Sequence, residues 1–273
     1  MCKTLLFSDW LYVHGGYRHQ PKTKEELIRA INAEIKTQGP EANLGYIDTS
    51  AIKDMSGLFM GWDRVACDIS NWNVSNVKDM SSMFYWAKSF NQDISKWDVS
   101  NVANMSEMFY ECYAFNQDLS GWDVSNVENM CKMFYLATSF NGDISTWDVR
   151  NVKNMGGMFE KSGFNGKLKR WNTKNVKDMY GMFKDCGFNQ DISKWNVSNV
   201  EDMSHMFEEC ESFNQDISRW DVSSVADMDC MFNGAASFNQ DISRWNVSNV
   251  IYMGSVFCDC PCPEEHQPKF NFN

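Results

Sequence analysis

Tryptophan recurs in this chain at positions 72, 97, 122, 147, 171, 195, 220 and 245, at intervals of 24 or 25 residues. An M-x-x-M-F signature runs in step with it, from Met80, Met83 and Phe84 to Met228, Met231 and Phe232. Edge versions stand at Met55, Leu58 and Phe59 and at Met253, Val256 and Phe257, so nine copies are visible. A unit this short cannot bury its apolar face alone, and stability must come from each copy leaning on the next. The expected architecture is a repeat solenoid of about nine coils. Composition supports it: of 18 Met, 11 Trp and 19 Phe, 16, 8 and 16 respectively fall in these columns. The surplus of large apolar side chains is therefore a shared spine.

Within one unit, Phe90 to Ala114, the apolar positions are Phe90, Ile94, Trp97, Val99, Val102, Met105, Met108 and Phe109. Trp97 and Val99 are two apart with Asp98 between them, which predicts a short parallel strand. Met105, Met108 and Phe109 have the i, i+3, i+4 spacing of one helical turn. Asp54, Asp79, Asn104, Asn129, Asn154, Asp178, Asp202 and Asp227 each precede the first Met, as N-cap residues would. Each coil is thus expected to carry one short strand and one short helical turn. Two coils are a residue short, at KSGFN and DCGFN, where Gly163 and Gly187 should absorb the deletion in a turn.

The ends leave the pattern. Thr23 and Glu26 form an S/T-x-x-E capping box ahead of Leu27, Ile28, Ile31 and Ile35, and Gly39-Pro40 stops the helix. The division expected is an N-terminal cap over 1–45 with a helix at about 23–37, a solenoid over 46–257, and a C-terminal tail over 258–273. Phe270 or Phe272 of that tail should cover the last coil.

The FNQDISxWDVSNVxxMxxMF unit resembles the repeat of the BspA-like leucine-rich-repeat surface proteins, a family of mycoplasma and other bacterial surface lipoproteins also met in protists and large DNA viruses. The resemblance covers about residues 44–260. It implies an LRR-like solenoid that displays a surface for adhesion or protein interaction, without catalysis. A Cys three residues after the Phe, frequent in that family, is kept at Cys112, Cys186, Cys210 and Cys260.

A net charge of −11 argues against binding nucleic acid by neutralising phosphate, and basic partners or cations fit it better. No window reaches the ~20 apolar residues of a membrane span. The opening MCKTLLFSDWLYVHGG reads as mature sequence without a signal peptide. The expected address is the cytoplasm or a virion, with the cell surface as the alternative. His14, His19, His205 and His266 are scattered, and no G-x-S-x-G, P-loop or H-E-x-x-H motif occurs, so neither an enzyme nor a cofactor is expected. His205 falls on a variable helix-surface position and should be solvated.

Candidate contacts lie where the columns vary. Tyr85, Tyr110 and Tyr135 follow Phe84, Phe109 and Phe134, and with Trp86 and Tyr113 they form an aromatic strip suited to a protein partner. Asp98, Asp123 and Asp148 form an acidic ladder that could meet water, a basic partner or Ca²⁺. Asp68, Asp93, Asp118, Asp143, Asp191, Asp216 and Asp241 read as turn residues accepting backbone N–H groups. Cys186 and Cys210 sit at equivalent places in adjacent coils and could bridge if oxidised, but free thiols are the expected state. Cys258, Cys260 and Cys262 make a C-x-C-x-C run that offers soft-metal ligands without a second pair. The function expected is a non-enzymatic protein-interaction or structural scaffold module, for instance in a virion; the alternative is a cation-dependent or adhesin-type surface-binding protein.

Overall fold

A computed structural model of the 273-residue chain describes residues 18–62 and 67–270. It begins with one α-helix, α1 (Lys24–Gln38). The Thr23 side chain accepts the Glu26 N–H at 3.3 Å. Glu26 returns a bond at 2.7 Å to the Lys22 N–H, one residue earlier than the reciprocal half of a capping box would be. Gly39, with φ of 90°, closes the helix by donating to Ile35 O at 2.8 Å. Leu27, Ala30 and Ile31 face the core, while Ile28 points outward. Glu34 is also buried; Arg18 pairs with it at 3.3 Å and the His19 ring hydrogen-bonds it at 2.9 Å, tying the preceding segment to the helix.

From residue 43 onward the chain is a stack of repeats. Parallel single-residue bridges link Asp54 to Asp79, Asp79 to Asn104, and so on through each following repeat to Tyr252. Equivalent side chains consequently lie on one another. Phe109 and Phe134 stack at 5.5 Å, and Trp122 and Trp147 at 6.4 Å with planes 2° apart. The Met, Phe, Val and Ile columns form one continuous buried core. Each Trp of the repeat column is buried, and its indole N–H donates to a carbonyl of the preceding repeat: Trp97 to Ile69 at 3.2 Å, Trp122 to Ile94 at 3.1 Å, Trp147 to Leu119 at 3.0 Å. Asn101, Asn126 and Asn151 likewise donate their amides back to Ser75, Ser100 and Ser125.

The helical turn and the Trp-Val strand expected in each coil are both absent among the described residues. The M-x-x-M-F segment is instead a chain of tight turns. Met83 N–H bonds Met80 O, Tyr85 N–H bonds Ser82 O, and Ala87 N–H bonds Phe84 O. The alternate N–H groups of Met80, Ser82, Phe84 and Trp86 bond the next repeat at 2.8–3.0 Å. Geometry forces this outcome. Main-chain bonds between repeats hold them roughly 4.8 Å apart, whereas packed α-helices need about 8–10 Å between axes. A helical turn also consumes its own N–H groups and leaves none for its neighbour. The residue in each turn that would continue a helix takes positive φ, as at Ser82 (53°) and Trp86 (61°). The Asp/Asn residue before each Met still makes its cap-type bond to the N–H two residues on, for example Asp79 to Ser81 at 2.8 Å, but what it opens is a turn.

The short repeats keep register. Phe140–Phe164 and Trp147–Trp171 stack at 5.9 and 6.3 Å across the first deletion. Gly163 permits it by close approach: a Cβ there would meet Thr138 O at 2.2 Å. At the far end Phe270 packs against the core, 25 residues after Trp245 and so in the Trp position of a following repeat; Phe272 lies outside the described residues. The main-chain N–H groups of Met253, Ser255, Phe257 and Asp259, which in earlier repeats bond the next one, have no partner among the described residues. No helix among the described residues is long and apolar enough to cross a membrane.

Left-handed φ at a residue bearing a Cβ costs ~1–2 kcal/mol, part of which glycine returns as unfolded-chain entropy. Lys161 (φ 56°) and Gly61 (φ 71°) occupy the same turn position in different repeats. Lys161→Gly is expected to stabilise the fold by about 0.5–1 kcal/mol and Gly61→Val to destabilise it by about 1–2 kcal/mol. Urea denaturation of the two variants checks both signs.

Candidate functional site

The column that follows the core Phe changes character along the stack. Its turn sets the side chain at the same place in every repeat, so successive occupants must meet. Tyr85 and Tyr110 stack at 4.4 Å with planes 12° apart, and Tyr110 and Tyr135 at 4.4 Å with planes 11° apart. Trp86 lies beside Tyr85 at 5.5 Å and is 48% exposed. Lys132 sits over Tyr135 at 5.8 Å, and Tyr113 donates its hydroxyl to Glu111 at 2.7 Å. The structure therefore brings Tyr85, Trp86, Tyr110 and Tyr135 together as one half-buried strip, with Tyr113 tied to Glu111. Burial first, then the flanking Tyr135 and Tyr85, push the Tyr110 phenol well above the ordinary tyrosine range.

Further along the column stand Glu160, Lys184 and Glu208. Glu160 is buried, which raises its pKa against the opposing pull of Lys184, Lys132 and Lys161. Lys184 pairs with Glu208, and His205 Nδ1 reaches the same Glu208 oxygen at 2.6 Å. His205 is thus engaged by a carboxylate where a solvated side chain was expected. It occupies a positive-φ turn position (60°), which spacing alone does not distinguish from a helix face.

The acidic positions serve local turns. Asp98 accepts the Ser100 N–H and hydroxyl at 3.1 and 2.6 Å, Asp123 accepts the Ser125 N–H at 3.0 Å, and Asp148 pairs with Arg150 at 2.7 Å. These three carboxylates do not converge as a ligand set among the described residues. Asp93, Asp118, Asp191 and Asp216 likewise accept the N–H two residues on, and Lys169 with Ser193 hold Asp191 at about 2.

The cysteines among the described residues are free. Cys112 donates to Phe84 O at 2.9 Å and Cys210 to Cys186 O at 2.8 Å, inside the core. Burial raises the Cys186 thiol to about 11. Cys258, Cys260 and Cys262 do not gather: Cys258 is exposed, Cys260 faces Phe238 O and Cys262 faces Gln240 O, with burial pushing Cys262 up to about 12.

A phenol whose pKa is raised on folding contributes stability that is intact below its unfolded value, near 10, and is lost as pH rises through the folded value. Absorbance titration in alkali should show a tyrosine phase later than that of a free phenol. Tyr110→Phe should remove this phase and make the alkaline fall in melting temperature shallower.

Residues 31–134, 117–188 and 162–270 match, as three overlapping segments, the family described as Mycoplasma protein of unknown function, DUF285. No curated protein and no solved structure matches the chain. The matched segments together span the repeats from α1 to Phe270, and the chain belongs to this family.

Proposed function

We propose that the chain is a non-enzymatic protein-interaction or structural module: a solenoid, leucine-rich-repeat-like in the BspA-like manner, whose outward strips engage a protein partner. The observation that carries this reading is the Tyr85–Tyr110–Tyr135 stack with the exposed Trp86 indole. The core does not need aromatic residues there, since Glu160, Lys184 and Glu208 fill the same column in later repeats. Stacked rings keep few rotamers to lose on binding, and Tyr and Trp are the residues that most often anchor interfaces. A protein partner in a multi-protein assembly such as a virion, or in the cytoplasm, fits a module of this kind; adhesion at a cell surface is the alternative address. Neither nucleic acid nor a cofactor forms part of the proposal.

Capture of partners from the native source, read by mass spectrometry, tests the strip. Tyr85→Ala, Tyr110→Ala and Tyr135→Ala together should abolish capture while the circular dichroism spectrum stays that of the parent. Asp98→Asn, Asp123→Asn and Asp148→Asn together should leave capture intact. The reverse pattern would transfer the contact to the acidic ladder and to a basic partner.

A further inference from the structure

A second cluster lies three repeats beyond Tyr135, and no expectation drawn from the sequence covers it. One donor atom each from His205, Glu208 and Cys230 lies within 4.8 Å of the other two, the one such group of three or more His, Cys, Asp or Glu residues among the described residues. The stack creates it. His205 and Cys230 hold the same turn position in adjacent repeats, both with positive φ (60° and 55°), and are brought side by side by the ladder, where the His205 N–H bonds the O of Asp229, the residue before Cys230, at 2.7 Å. Glu208 projects from the turn that His205 opens, since the Glu208 N–H bonds His205 O at 3.1 Å.

We propose that His205, Glu208 and Cys230 form a binding site for a borderline-soft divalent cation, Zn²⁺ by preference, with water completing a tetrahedron. Nitrogen, thiolate and carboxylate are the three ligand types zinc takes, at about 2.0–2.3 Å. Those bond lengths place ligands roughly 3.3–3.8 Å apart, so the His205–Glu208 hydrogen bond at 2.6 Å must open and the remaining atoms of a set lying within 4.8 Å must draw in, each by about 1 Å or less. The set is partly shielded: the Tyr180 ring lies edge-on to His205 at 5.3 Å, and the side chains of His205 and Glu208 are 27% and 14% exposed. Asn233 Nδ2 reaches Glu208 Oε1 at 3.4 Å and can orient the carboxylate from behind.

Lys184 is the competing cation. Its ammonium pairs with Glu208 Oε2, the oxygen that also faces His205. Glu160, one repeat earlier in the column, also attracts that ammonium. A metal ion at Glu208 would therefore displace Lys184 toward Glu160, leaving the ammonium with a partner. Binding releases the Cys230 thiol proton to solvent and joins its thiolate to the metal, with no redox step.

Metal-free full-length protein titrated with Zn²⁺ by calorimetry should take one equivalent, and Co²⁺ should give the sulfur-to-metal band and intense visible bands of a tetrahedral thiolate complex. Cys230→Ser should abolish the sulfur band, and His205→Ala should weaken Zn²⁺ binding by about tenfold or more. Lys184→Gln should tighten it, a direction that loss of a merely structural ion pair does not produce. Replacing Cys258, Cys260 and Cys262 together by Ser should leave the band in place. Absence of heat and band in the parent, a band that survives Cys230→Ser, or a band lost only in the triple variant would each overturn the proposal.

Discussion

The hydrogen bonds between neighbouring main chains set the distance from one repeat to the next, and that distance decides everything built upon it. Bonds of 2.8–3.0 Å from Met80, Ser82, Phe84 and Trp86 to the following repeat leave no room for helices. Any side chain on the stack must then tolerate its own counterpart above and below. Flat rings do this well, offset and parallel, as Phe84 on Phe109 at 5.6 Å and Trp171 on Trp195 at 6.2 Å show. Charged columns do it badly. The Asp and Asn residues survive in register because each carboxylate or amide is turned to its own backbone.

Much of the architecture was legible because it depends on counting. The Trp and Met columns, the helix start at Thr23, the deletion absorbed at Gly163 and the turn role of Asp93 and Asp118 all follow from spacing and residue chemistry. The local conformation of M-x-x-M-F was not legible. An Asp followed by apolar residues at i, i+3 and i+4 describes a capped helical turn, but a run of two tight turns has the same spacing and begins with the same side-chain bond. Only the distance between repeats tells them apart, and that is a property of the stack rather than of any one unit. The grouping of His205 with Cys230 was hidden for a related reason. Neither forms a motif with its sequence neighbours, and their proximity appears only when position 205 is laid over position 230.

The column after the core Phe shows how one scaffold position carries different chemistry along its length. Tyrosines occupy three repeats, where burial and then the flanking phenols raise the Tyr110 pKa. Glu160, Lys184 and Glu208 follow, alternating in sign so that each charge lies beside its opposite. The same spacing that rewards identical rings penalises identical charges, and the sequence of the column obeys both conditions.

The indole, amide and thiol bonds to main-chain carbonyls of a neighbouring repeat run one way. Trp97 reaches Ile69, Asn101 reaches Ser75, Cys112 reaches Phe84 and Trp245 reaches Ile217, each a later residue donating to an earlier carbonyl. A chain leaving the ribosome amino end first would therefore present each of these indoles, amides and thiols to a carbonyl that had already been made. Such a molecule can be assembled during its own synthesis, one turn at a time upon a finished base.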